Sequence, residues 1–115
     1  MATNQADSAG QTGGQRYRHL FEHAPVCIIV ADLTTVPATI LEVNRRAELV
    51  YGYPAADLVG MPASDLVPEE ARPAALTVVG RVQQGETVTA ETTHQRRDGT
   101  CFPVRVIAAP SVPAW

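Results

Sequence analysis

The stretch Ile40–Gly60 constrains the fold of this chain most, because its backbone signals change repeatedly within a short span. Ile40–Val43 reads as a strand. Asn44 stands where a helix N-cap belongs, its side-chain oxygen able to accept an orphan N–H of the first turn. Ala47, Val50 and Tyr51 recur at i, i+3 and i+4, which predicts a two-turn helix with one apolar stripe. Gly52 suits the left-handed position just past its end. Pro54 can open the next turn, where its missing N–H costs nothing. Gly60 closes that turn and Pro62 stops it from continuing. Dense punctuation of this kind builds a compact curved wall, the form a small pocket needs.

A chain of 115 residues makes one domain, able to bury about 65% of its unfolded surface. Its hydrophobic fraction of 45% is ordinary for a globular protein. The net charge of −3 and the lack of a basic stripe argue against nucleic acid as a partner. All basic residues are arginine, a bias that reads as genome composition. Met1–Gln15 is polar and rich in Gly, Gln, Ser and Thr, so residues 1–15 are expected to be a disordered segment. It lacks the basic start and apolar run of a signal peptide, and no stretch approaches a membrane-spanning length. The chain therefore reads as cytoplasmic, without direct membrane contact. Cys27 and Cys101 read as buried thiols in strands, not as a disulfide framework.

Around the central stretch, Tyr17, Leu20, Phe21 and Ala24 predict a short amphipathic helix over Arg16–Ala24, ended by Pro25. Val26–Asp32 is an apolar run with the signature of a strand covered on both faces. Leu33–Ala38 is a turn and Thr39–Val43 the second strand. Ser64–Val67 suggests a single helical turn. A helix then follows in which Glu69 and Glu70 favour the positive end and Pro73 forces a kink or restart. Leu76, Val79 and Val82 supply its predicted buried side, and Gly85 stops it.

Thr87–Arg97 and Thr100–Ala109 form a hairpin whose turn type is decided by the apolar phase. A two-residue Asp98-Gly99 loop would set Glu91 and Thr93 opposite Val106 and Val104. A three-residue loop, Arg97-Asp98-Gly99, with Gly99 left-handed, pairs His94 with Phe102, Thr92 with Val104, Ala90 with Val106 and Val88 with Ala108. One face is then consistently apolar, and a slip by one residue would bury charge. The bulged hairpin is the expectation.

Taken in order, Leu20-Phe21-Glu22-His23-Ala24-Pro25, Asp32, Asn44, Gly52-Tyr53, Leu58-Val59-Gly60 and Arg96-Arg97-Asp98-Gly99-Thr100 resemble the pattern of PAS domains, across roughly Arg16–Ala109. No single one of these motifs is specific; their order and spacing are. The resemblance implies an α+β fold: an antiparallel sheet of strand order 2-1-5-4-3 with short helices over one face, a pocket between them, and an N-terminal helix. It implies a sensory or regulatory input module of a signal-transduction protein, such as a histidine kinase, with an output domain linked covalently. The domain is expected over 16–110. Residues 111–115, with two prolines just before them or among them, read as a tail where the fifth strand should follow. The expectation is a truncated module whose bare sheet edge favours strand exchange or dimerisation.

Hairpin register and strand alternation suggest Ile29, Ala31, Leu41, Val43, Tyr51, Leu76, Val79, Thr92, His94, Val104 and Val106 as pocket or core lining. His94 and Thr92 would be among the few polar groups of a small apolar pocket. His94 could bond a ligand or sense pH, or it could be a half-solvated histidine bonded to backbone. Asn44 and Asp32 read as structural, through capping and turn N–H groups. Ile28, Val30, Ile40 and Ile107 are expected on the opposite sheet face. A helix carrying Tyr17, Leu20 and Phe21 could cover that face in cis, or a second subunit could. A homodimer using both is the expectation.

The resemblance also bears on cofactors. Haem-binding members use a histidine on the long helix, and Pro68–Gln84 contains none. Flavin photoreceptor members carry a reactive cysteine in an Asn-Cys-Arg-Phe motif, where this chain reads Ser64-Asp65-Leu66-Val67. No ligand-spaced metal cluster is visible in the sequence. A noncovalent small molecule remains open, as does a ligand-free interaction module. An enzyme using His94 as base or Cys27 as nucleophile would lack a sequence-evident activating partner, so no catalytic residues are assigned.

Overall fold

The computed structural model describes residues 11–110. The element order is α1 (Gln11–His23), β1 (Ile29–Asp32), β2 (Thr39–Val43), α2 (Arg45–Tyr51), α3 (Ala55–Leu58), two 3₁₀ turns (Ala63–Leu66 and Glu69–Ala71), α4 (Arg72–Gln83), β3 (Val88–Gln95) and β4 (Cys101–Ala108). The first helix begins at Gln11, five residues before the expected Arg16, so residues 11–15 are helical. Residues 1–10 and 111–115, including the expected tail, lie outside the described residues.

The strands form two antiparallel pairs, β1 with β2 and β3 with β4. These are the outer pairs of the expected order 2-1-5-4-3. Among the described residues no strand lies between β1 and β4. The other edge of β2 is lined by chain: Ile40 exchanges backbone hydrogen bonds with Met61 and Gly60 at 2.9 and 2.7 Å, and Ala63 N–H donates to Ala38 at 2.8 Å.

The hairpin has the register that the apolar phase demands: His94 opposite Phe102, Thr92 opposite Val104, Ala90 opposite Val106 and Val88 opposite Ala108. Gly99 closes the loop at φ 91°, where a Cβ would be strained. Its N–H donates to Arg96 O at 2.9 Å, and Arg96 N–H donates to Thr100 O at 2.8 Å.

The first strand pair departs from simple alternation. Ile29 faces Val43 and Val30 faces Glu42, but Ala31 faces Ile40, so a bulge absorbs Leu41. The extra residue puts Ile40 and Val43 on the same face although they are three apart. Ile40 is therefore fully buried and Leu41 is 44% exposed, the reverse of what period-two alternation predicts. Ile40, Val43, Ala47, Tyr51, Leu58 and Leu66 form one core cluster.

Asn44 joins this core to the chain before β1. Its backbone carries on as the α2 N-cap and its side chain is completely buried. Oδ1 accepts from Ala47 N–H at 3.1 Å and from Ile28 N–H at 3.0 Å, while Nδ2 donates to Val26 O at 2.8 Å. Only an amide offers both an acceptor and a donor in this arrangement. At the other end of α2, Gly52 takes φ 80° and its N–H donates to Glu48 O at 2.9 Å. Glu48 in turn reaches forward, accepting Ala55 N–H on its carboxylate at 2.6 Å and so capping α3.

In α4 the inward stripe is Ala75, Val78, Val79 and Val82, with Val82 4% exposed. Leu76 is a correction: it stands 61% exposed, about 100° round the helix from that stripe. The two cysteines are also exposed. Cys27 precedes β1, which starts only at Ile29, and Cys101 is on the solvent side of β4.

Replacing Asn44 by alanine removes the buried cap on Ala47 N–H and leaves the half-buried Ile28 N–H and the Val26 carbonyl without their side-chain partner. The expected loss of unfolding free energy is about 3 kcal/mol. Denaturant titration of N44A checks it, and a loss below about 1 kcal/mol would contradict the bridging role.

Candidate functional site

A partly open cavity of about 710 Å³ lies between the two strand pairs, under α4. β1 contributes Ile29 and Ala31, α2 contributes Val50 and Tyr51, and α4 contributes Val78, Val79 and Val82. His94 of β3 and Phe102, Val104 and Val106 of β4 form the facing wall. Each of these positions follows from a feature already described. The bulge keeps Ile29 and Ala31 on the inner side, the Gly99 loop aims His94 inward, and the Asn44 cap sets the start of the helix that ends at Tyr51.

Seven expected lining residues meet at this cavity: Ile29, Ala31, Tyr51, Val79, His94, Val104 and Val106. Four do not. Leu41 is the bulge residue on the outside, Val43 is buried in the core cluster, Leu76 faces solvent, and Thr92 is half-buried opposite Val104 without lining the cavity. The cavity is also larger than expected, because no strand among the described residues fills the gap between β1 and β4. Val78, Val50, Phe102, Cys27 and Arg46 are wall residues the sequence reading missed. Val78 was legible as the i+3 partner of Ala75. The arginine carried no signal.

The outer-face expectations divide similarly. Val30 is buried and Ile107 is 69% exposed, while Ile28 is half-buried. Helix α1 lies on the outer side: Tyr17 stacks on Phe21 at 5.7 Å, and Arg18 pairs with Glu42 at 3.6 Å, beside Val30. Phe21 is buried and Leu20 is 63% exposed. The helix thus covers part of this face in cis.

The chemistry of the cavity centres on Tyr51 and His94. The Tyr51 hydroxyl and His94 Nδ1 are 2.5 Å apart. Phe102 packs against both rings, at 5.5 and 6.4 Å between centroids. Burial pushes the Tyr51 phenol well above its ordinary value and lowers His94 below its own. Both are therefore neutral near pH 7. Of two neutral groups the phenol is the stronger donor and the imidazole nitrogen the better acceptor, so the O–H donates to Nδ1 and the proton of His94 resides on Nε2. Nε2 has no protein partner among the described residues.

The backbone around the pair is anchored to the hairpin loop. Arg97 N–H donates to Tyr51 O at 2.9 Å, and Arg96 Nε donates to Val50 O at 3.1 Å. Arg96 lies over the Phe102 ring at 4.1 Å. These donors satisfy the carbonyl end of α2, where positive charge is favourable. Asp32 and Asp98 are structural: each accepts a backbone N–H and a hydroxyl, from Thr34 and Thr100 respectively, which lowers both carboxyl pKa values. Cys27, at the cavity edge, is an exposed residue whose thiol pKa is raised by partial desolvation, offset in part by Arg46. Among the described residues no group of histidine, cysteine and carboxylate side chains could hold a metal. No helix there is long and apolar enough to cross a membrane.

A family model described as PAS domain matches residues 25–112. Among solved structures, a domain of a sensory box sensor histidine kinase/response regulator from Geobacter sulfurreducens is 26% identical, with a TM-score of 0.72, covering 84% of this chain and 82% of that one. The PAS domain of an HTR-like protein from Haloarcula marismortui is 28% identical, TM-score 0.68, over 82% and 80% of the two chains. A LOV protein from Rhodobacter sphaeroides shares the fold at 15% identity, TM-score 0.74, over 87% of this chain and 57% of that one. No curated protein matches the sequence.

Because the folded pKa of His94 lies below its ordinary 6.5, the unfolded chain binds this proton more tightly. Above pH 6.5 the group leaves stability unchanged, and stability falls as pH drops from there through the folded value. His94→Gln, neutral throughout, is expected to flatten that slope in denaturant titrations run between pH 7.5 and about 5. An unchanged slope would contradict the neutral pair.

Proposed function

The chain belongs to the PAS domain family, and from that premise we propose that it is a sensory input module of a signalling protein, reading a small molecule held noncovalently in the cavity. One structural relative is by its description a domain of a signalling protein, a sensory box sensor histidine kinase/response regulator. A covalently linked output domain, with a histidine kinase the leading type, fits that company. The observation that carries the sensory reading is the cavity itself. Its volume of about 710 Å³ falls within the range of small-molecule sites, about 300–1,000 Å³. Its wall is mostly apolar, with the Tyr51–His94 pair, Cys27 and the arginines Arg46 and Arg105 as its polar groups, an arrangement that gives affinity through burial and orientation through hydrogen bonds.

The same geometry offers a transmission route. A ligand against His94 presses on the Tyr51–His94 bond, and Tyr51 and Val50 are tied by their carbonyls to Arg97 and Arg96 of the hairpin loop. Occupancy is thereby coupled to the loop and to the end of α2. No residue is assigned a catalytic role: Cys27 is a protonated thiol, and His94 is occupied by Tyr51.

A second reading rests on exposed apolar side chains. Leu20 on α1, Val26 before β1 and Ile107 on β4 are each more than half exposed. They suit a homodimer built on α1 and the outer sheet face, with or without a ligand. The bare edges of β1 and β4 could likewise accept a strand from a partner copy.

Native mass spectrometry of freshly purified protein, with an absorbance scan, separates the readings. A retained small-molecule mass is the expected result, and a visible band would identify a chromophore. A clean protein mass, with a dimer in light scattering that charged substitutions at Leu20 and Ile107 dissociate, would favour the interaction module instead.

A further inference from the structure

The cavity is the gap between β1 and β4, and the backbone edges that border it are electrically balanced, since a bare strand edge offers both N–H and C=O groups. Net charge at the wall therefore comes from side chains. Among the described residues these are Arg46 and Arg105, and no carboxylate lines the gap. Arg105 borders it through its place on β4, but stands opposite Glu91 on the other, exposed face of the hairpin. Arg46 is different. It lies one turn before Val50, on the side of α2 that meets the cavity, and makes no ion pair among the described residues. Its charge reaches the Cys27 thiol. Pro25, Val26, Cys27 and Arg46 are all exposed and form the mouth, whereas Tyr51 and Val82, each 4% exposed, lie inside.

The wall thus runs from a cationic rim to an apolar interior. Inside, Ile29 and Ala31 of β1 and Val104 and Val106 of β4 project from the strands toward Val79 and Val82 of α4. The polar pair there, Tyr51 and His94, is bonded to itself at 2.5 Å, so an apolar chain beneath α4 leaves it satisfied. The strand edges lie in the plane of the sheet, beside such a chain, and stay accessible to solvent through the open side of the gap. Resting on the reading of the cavity as a ligand site, we propose that it takes single-chain amphipathic carboxylates, fatty acids of medium length, with the carboxylate paired to Arg46 at the rim and the alkyl chain beneath α4. A cation is repelled at that rim, and a compound polar throughout gains nothing from the valine wall.

NMR titration of the intact chain with hexanoate, octanoate, octanamide and octylammonium, all kept below micelle formation, tests this through the methyl shifts of Val79 and Val82. Octanoate is expected to bind roughly tenfold more tightly than hexanoate, the effect of burying two methylenes. It should exceed its neutral isostere octanamide by about threefold to fivefold, the scale of a solvent-exposed ion pair. Octylammonium should bind weakest. Arg46→Gln should erase the preference for octanoate over octanamide while octanamide binding is unchanged, and Arg105→Gln should leave that preference intact. Both residues are exposed, so neither change threatens the fold. Equal affinity of octanoate and octanamide, a preference that survives Arg46→Gln or is lost in Arg105→Gln, or tightest binding of the ammonium would overturn the carboxylate assignment while leaving the cavity a ligand site. Equal affinity of hexanoate and octanoate would put the alkyl chain outside the valine wall and overturn the assignment too. If none of the four binds, the cavity is no ligand site and both readings fall together.

Discussion

The fold depends on the three hydrogen bonds made by the buried side chain of Asn44. The residue sits where the chain must stop being a strand and start being a helix, and its amide serves both tasks. One oxygen caps α2 through Ala47 N–H and fixes Ile28 N–H, while the nitrogen holds Val26 O. The segment between α1 and β1 is not a strand, so its backbone groups need partners from elsewhere. A buried asparagine supplies them, which makes the start of α2 and the entry to β1 one rigid unit.

That unit sets the cavity. Once the start of α2 is fixed, its two turns place Ala47 and Tyr51 in the core and bring the Tyr51 hydroxyl to His94. Gly52 and the Arg96–Arg97 donors then close the carbonyl end of the same helix. The hairpin loop, the short helix and the histidine are thus held by one another, and a polar pair survives in apolar surroundings because each partner satisfies the other. The remaining wall is mostly aliphatic, with Phe102, Cys27 and the Arg46 side chain beside the valines.

Much of this architecture was legible in the residues. The Asn44 cap, Gly52, the Gly99 loop and the hairpin register follow from local rules with definite geometry, so each is legible from the residues alone. His94 was placed on the inner face by register alone. What the sequence did not reveal was long-range or irregular. The bulge at Leu41 reversed the expected sides of Ile40 and Leu41, since nothing in Ile-Leu-Glu-Val marks an extra residue. Leu76 was assigned inward because it is large and apolar, whereas the smaller Ala75 lies on the buried stripe. The partners of Asn44 lie sixteen and eighteen residues away, and Tyr51 finds His94 across forty-three. No spacing rule reaches so far. The family resemblance, by contrast, rested on the order of many weak motifs and survived each of these local errors.

The account's central claim is that Tyr51 and His94 form a neutral pair in which Nδ1 accepts and Nε2 carries the proton. Ring ¹⁵N chemical shifts of His94 measure this directly in long-range ¹H–¹⁵N spectra at pH 7. The account predicts an unprotonated Nδ1 and a protonated Nε2, with a tautomer mixture appearing in Tyr51→Phe. A doubly protonated ring, or a proton on Nδ1 in the unaltered chain, would contradict it.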